Sequence, residues 1–131
     1  MALFLALYNV EDDFTIRMTN YKPVYRESDH ELVGFVGKLP TDQWQTFTVF
    51  NYPLQEYATE QQAISALRAT GLQILAEKWS FFDPELTDWY SCVIVEASPE
   101  KIRYKIVDWG HPNLEQEGVI QKPVPENFRL Q

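Results

Sequence analysis

One cysteine, two histidines and five glycines in 131 residues leave little material for several common chemistries. Cys92 has no second cysteine with which to form an intramolecular disulfide, so the fold must close without a crosslink, as suits a reducing compartment. It lies in the apolar run Cys92-Val93-Ile94-Val95 beside Glu96. A thiol there reads as a small buried hydrophobe, since a reactive thiolate needs an electropositive, open setting. The glycines stand at 34, 37, 71, 110 and 118, a spacing that builds neither GxGxxG nor GxxxxGK[ST]. A P-loop is therefore excluded. Cys92, His30 and His111 are too few and too scattered for a zinc finger or an HExxH helix, and no cofactor is expected.

Basic charge is scarce as well. Eleven Lys and Arg face nineteen Asp and Glu, for a net charge of −8, and no three basic residues run together. Binding to phosphate backbones draws on clustered cations that release counterions, so no nucleic-acid partner is expected. Long apolar runs are absent too. The segment Ala2–Tyr8 is too short to cross a bilayer and is followed by Glu11-Asp12-Asp13, so it reads as a buried strand, with no membrane partner and a cytoplasmic location expected.

What the chain does have is apolar and aromatic bulk: 45% hydrophobic and 15% aromatic residues. That suffices to offset the ordering entropy of one core, and residues 1–131 read as a single domain. Phe14–Met18 alternates apolar with polar, as a half-buried strand does. Thr19-Asn20 offers a turn, and Pro23–Arg26 suits an edge strand, where proline is tolerated. Glu31–Leu39 and Trp44–Phe50 read as a hairpin around Pro40-Thr41-Asp42, with Gly34 and Gly37 marking a bulge or a close backbone approach.

Thr59-Glu60-Gln61-Gln62 is a capping box, and Ala63, Ile64, Ala66 and Leu67 continue it as an apolar stripe at helical spacing. Termination at Thr70 is favoured over a helix reaching Trp79, with Gly71 as a left-handed cap and a strand over 72–79. Residues 80–88 read as a loop. Trp89–Glu96 and 102–106 form a second hairpin turning at Ser98-Pro99-Glu100. Residues 119–131 are proline-spaced and read as an extended C-terminal arm carrying Phe128 and Leu130. The expected class is α+β: a mainly antiparallel sheet of about five to seven strands with one principal helix on one face.

Catalytic signatures are missing. No serine has the GxSxG setting, and His30 and His111 stand beside carboxylates without a motif around them. Nineteen aromatic residues, however, exceed what one small core readily hides. The loop around Phe81, Phe82 and Trp89, and the segment Asp108, Trp109 and His111 with Tyr104, are the candidate binding residues. They point to a non-catalytic accessory protein that docks a protein partner, or a second copy of itself, through aromatic loops. Two alternatives stand beside it. One is a small-molecule binder or enzyme with an aromatic pocket near His111, and the other an acidic inhibitor that imitates nucleic acid.

Overall fold

A computed structural model describes residues 18–131 of the chain. The strand expectations for residues 2–8 and 14–18 lie outside these residues, apart from Met18. The architecture is α+β, with antiparallel pairing throughout and one main helix among the described residues. The chain divides into two compact units, one ending at Leu72 and the other running from Gln73 to Gln131. Two sheets, of four and five strands, thus replace the single sheet expected from the sequence.

The first unit is a meander of β1 (Thr19–Tyr25), β2 (Leu32–Lys38), β3 (Trp44–Phe47) and β4 (Pro53–Tyr57), in that spatial order, with α1 (Glu60–Thr70) packed on it. Among the described strands β1 lies at the edge of its sheet, a position where Pro23 is accepted. Thr19-Asn20 is not a turn. Asn20 takes the left-handed conformation inside β1, and the pairing with β2 slips between Thr19 and Lys22, so the turn signal is spent on a bulge. β3 stops at Phe47, three residues earlier than expected. The Thr48 hydroxyl accepts from the N–H groups of Phe50 and Tyr52, drawing 48–52 into a tight turn.

The capping box is present in full. The Thr59 hydroxyl accepts from the Gln62 N–H at 3.2 Å, and Gln62 accepts from the Thr59 N–H at 3.3 Å. The helix ends at Thr70 as the sequence implies, but Gly71 is right-handed, with φ −59°. Glycine is needed there for another reason: a Cβ would press into the carbonyl oxygens of Val33 and Leu67. Gly34 makes the matching concession from the strand side, since a Cβ on it would lie 2.9 Å from a Leu67 methyl. Helix and β2 therefore approach through two glycines. Val24, Val33, Val36 and Trp44 close the core beneath Ala63 and Leu67, while Met18, Leu39 and Phe47 form a second cluster.

The second unit is a five-stranded sheet ordered β8-β7-β6-β5-β9. It comprises β5 (Lys78–Asp83), β6 (Asp88–Ala97), β7 (Lys101–Ile106), β8 (Glu117–Gln121) and β9 (Phe128–Leu130). The strand expected over 72–79 is instead a 3-10 turn at Gln73–Ala76, followed by β5. Most of the loop expected over 80–88 is likewise strand, with the reversal confined to residues 84–87. There the Asp83 carboxylate accepts from the N–H groups of Glu85 and Leu86, closing the turn beyond the strand end. The hairpin at Ser98-Pro99-Glu100 is as expected, with the Ser98 N–H donating to the Lys101 carbonyl at 3.0 Å. In the extended segment 119–131, residues 119–121 pair with β7, and Phe128–Leu130 pair with β5.

Alternation gives this sheet two unlike faces. Trp79, Phe81, Cys92, Ile102, Ile106 and Phe128 point to one side and are all buried. Trp79 stacks on Phe128 with ring centroids 5.4 Å apart, and its indole N–H donates to the Ile74 carbonyl at 3.2 Å. The other face has no buried residue.

Candidate functional site

The candidate residues fall into three settings, all within the second unit. The first is an aromatic cluster on the buried face. Phe81 and Tyr90 pair across β5 and β6, and Tyr104 reaches Phe81 from β7 at a centroid distance of 4.5 Å. Tyr104 sits opposite Gly118, where a side chain would collide with the phenol ring. Burial pushes the Tyr104 phenol above its ordinary range.

His111 completes this cluster. Its ring lies 5.7 Å from Phe81 and meets the edge of Tyr90 at 4.6 Å and 85°. Nε2 is 2.8 Å from the Asp83 carboxylate, and Nδ1 accepts from the Asn113 N–H at 3.0 Å. A main-chain N–H aimed at Nδ1 requires a lone pair there, which leaves Nε2 as the nitrogen that donates to Asp83. With 2% of its side chain exposed and both nitrogens engaged, His111 anchors the loop of residues 108–113 to β5.

The second setting is the tip of that loop. The Asp108 carboxylate accepts from the Gly110 N–H at 2.8 Å through one oxygen and from the Ser91 N–H at 2.9 Å through the other. These main-chain donors hold its pKa below the usual carboxylate range. The Asp108 carbonyl also accepts from the His111 N–H. Trp109 stands between these fixed residues and is 88% exposed.

Phe82 and Trp89 form the third setting, on the opposite face of the sheet from Phe81. They pair across β5 and β6, with rings edge to face at 5.6 Å, and the Arg129 guanidinium lies 3.8 Å above the Trp89 ring. The structure thus brings Phe81, Tyr104 and His111 together and places Phe82 and Trp89 apart from them. Sequence reasoning singles out neither Asn113 nor Arg129, and takes Asp83 and Tyr90 only as members of a loop and its frame, not as partners of His111. The signal for Asp83 and Tyr90 was the register of the β5–β6 hairpin, hidden where turn-forming residues follow directly on a strand.

Among the described residues, no group of three or more His, Cys, Asp or Glu side chains could hold a metal ion. No helix among them is long and apolar enough to cross a membrane.

No family model, curated protein or solved structure matches this chain.

Proposed function

We propose that the protein is a non-catalytic accessory protein of the cytoplasm that docks a protein partner through the Trp109 tip. One observation carries this reading: an indole 88% exposed on a turn whose neighbours are fixed by main-chain and carboxylate hydrogen bonds. At about 25 cal/mol per Å² of apolar surface, an unburied indole forgoes several kcal/mol. Burial against a partner recovers that energy, and the rigid loop spares most of the ordering entropy that a mobile anchor would lose. Cytoplasmic residence rests on the single buried thiol, which suits a reducing compartment. The pocket alternative near His111 draws less support, because the polar atoms of His111 and Asp108 are already engaged.

A photoreactive phenylalanine analogue at position 109 tests the proposal in cells, with the same group at the exposed Tyr25 as reference. A discrete adduct specific to position 109 is expected. Excess unlabelled wild-type protein should compete it away, and unlabelled Trp109→Ala should not. Identical adducts from both positions, or equal competition by Trp109→Ala, would sink the reading.

A further inference from the structure

We infer that the open face of the second sheet docks an acidic, extended segment of a protein partner. This surface is distinct from the Trp109 tip and does not depend on it.

The inference starts from how charge is sorted in this unit. Residues 73–131 carry six Lys and Arg, and five of them, Lys78, Lys101, Arg103, Lys105 and Arg129, share the face that is not buried. The registers fix this placement. Lys78 and Lys105 both pair with Val93, Lys101 and Arg103 alternate with Lys105 along β7, and Arg129 pairs with Ser80. Of the ten Asp and Glu in the unit, only Glu96 and Glu117 join them on the strands of that face. A chain of net charge −8 thus presents one sheet face with a surplus of positive charge.

Ion pairing sharpens the contrast. In the first unit every described cation has a carboxylate partner: Lys22 with Glu60, Arg26 with Asp29, Lys38 with Asp42 and Arg68 with Glu27. On the open face Arg103 alone is paired, to both Glu96 and Glu117, which leaves Lys78, Lys101 and Lys105 without a carboxylate among the described residues. Exposed apolar surface lies among them. Val119 is 50% exposed and, with Lys101 and Arg103, borders a recess of about 70 Å³ with room for a small side chain.

The chemistry of the free cations selects the occupant. The unpaired groups are lysines, which act as point charges, whereas the two guanidiniums are committed to carboxylates or to the Trp89 ring. Trp89 has one ring face covered by Arg129, which removes a platform on which a nucleobase would stack. Glu96 and Glu117 would also repel an unbroken ladder of phosphates, while a peptide can space its carboxylates around them. An acidic peptide with small apolar side chains fits these constraints better than a nucleic-acid strand.

The full chain can be tested by fluorescence polarisation with a labelled decapeptide in which Glu alternates with Val, and with a labelled oligothymidylate decamer as comparison. The peptide should bind at about 50 mM salt and be released at about 300 mM, as screened surface charges require. Combining Lys78→Gln, Lys101→Gln and Lys105→Gln should weaken it about tenfold or more, with the melting transition kept as a folding control. Lys38→Gln, on the other unit, should leave binding unchanged. Trp109→Ala should also leave it unchanged, so failure here and failure of the Trp109 reading are separable. Tighter binding of the oligothymidylate, no binding of the peptide at low salt, or binding insensitive to the triple variant would each overturn the inference. So would self-association of the wild type that the triple variant abolishes, since the face would then belong to a second copy.

Discussion

His111 and Asp83 are joined across 28 residues of sequence by a 2.8 Å contact between imidazole Nε2 and carboxylate Oδ2. The same carboxylate accepts through its other oxygen from the Glu85 and Leu86 N–H groups and so closes the β5–β6 turn. The same imidazole accepts at Nδ1 from Asn113. One pair therefore links two loops, the hairpin turn at 84–87 and the segment that carries Trp109.

This linkage has a pH signature. The hydrogen bond from His111 is the main cause holding the Asp83 carboxyl below its ordinary range, and the two turn N–H groups add to it against the opposing effect of desolvation. A carboxyl whose folded pKa is depressed adds stability that is present above its unfolded pKa and lost as pH falls through its folded one. Asp83→Asn should therefore lower the thermal midpoint most near neutral pH. The gap to wild type should close below about pH 4, the ordinary carboxyl range. Circular dichroism melts from neutral to strongly acidic pH check this, and a gap that stays constant would refute the role given to the charge.

Gly34 predicts a larger and pH-independent loss. Its φ of +151° is a backbone conformation that side chains rarely adopt, and a Cβ there would run into the Phe47 carbonyl oxygen and the Leu67 side chain. Gly34→Ala should cost about 2–3 kcal/mol or more, combining backbone strain with overpacking between β2 and α1. Urea titration measures it. A loss under about 0.5 kcal/mol, the range of an ordinary surface change, would mean that helix and strand are free to move apart.

Local chemistry was readable wherever it was self-contained. Thr59 and Gln62 announce the helix because both halves of their exchange lie within one turn, and Ser98-Pro99-Glu100 announces a reversal for the same reason. Errors arose where a residue's local preference served a distant partner. Gly71 looks like a helix terminator, yet it is small because the Val33 carbonyl lies against it. Phe82-Asp83-Pro84 resembles a loop, but Phe82 and Asp83 are strand through pairing with Trp89 and Asp88, which no local pattern encodes. The partition of strands into two sheets was illegible for the same reason. Of the candidate site, the aromatic residues were found by type, while Arg129 and the link of Asp83 to His111 appear only once the structure is known.

The C-terminal strand gives a direct test of tertiary pairing. Phe128 is fully buried, stacked on Trp79, and its neighbours in β9 close the β5 edge. Phe128→Ala should cost about 3–5 kcal/mol, the range for removing a buried aromatic ring. Arg129→Ala, which removes only an exposed guanidinium from the Trp89 ring, should cost less than about 1 kcal/mol. Similar losses in the two variants, measured by chemical denaturation, would contradict the assignment of β9 to the sheet.

Cys92 offers a probe of the same interior through its reactivity. The side chain is fully buried, and burial pushes its thiol pKa up to about 12, so almost no thiolate exists at pH 8. Thiolate is the attacking species, so native protein should resist an aromatic disulfide reagent at that pH, whereas protein in concentrated urea should react completely. Under intermediate urea the labelling rate should follow the opening of the second sheet, because Cys92 pairs with both Trp79 and Ile106 at its centre. Rapid stoichiometric labelling of the native protein would show that solvent reaches the middle of β6, and the buried face described for this sheet could not then be correct.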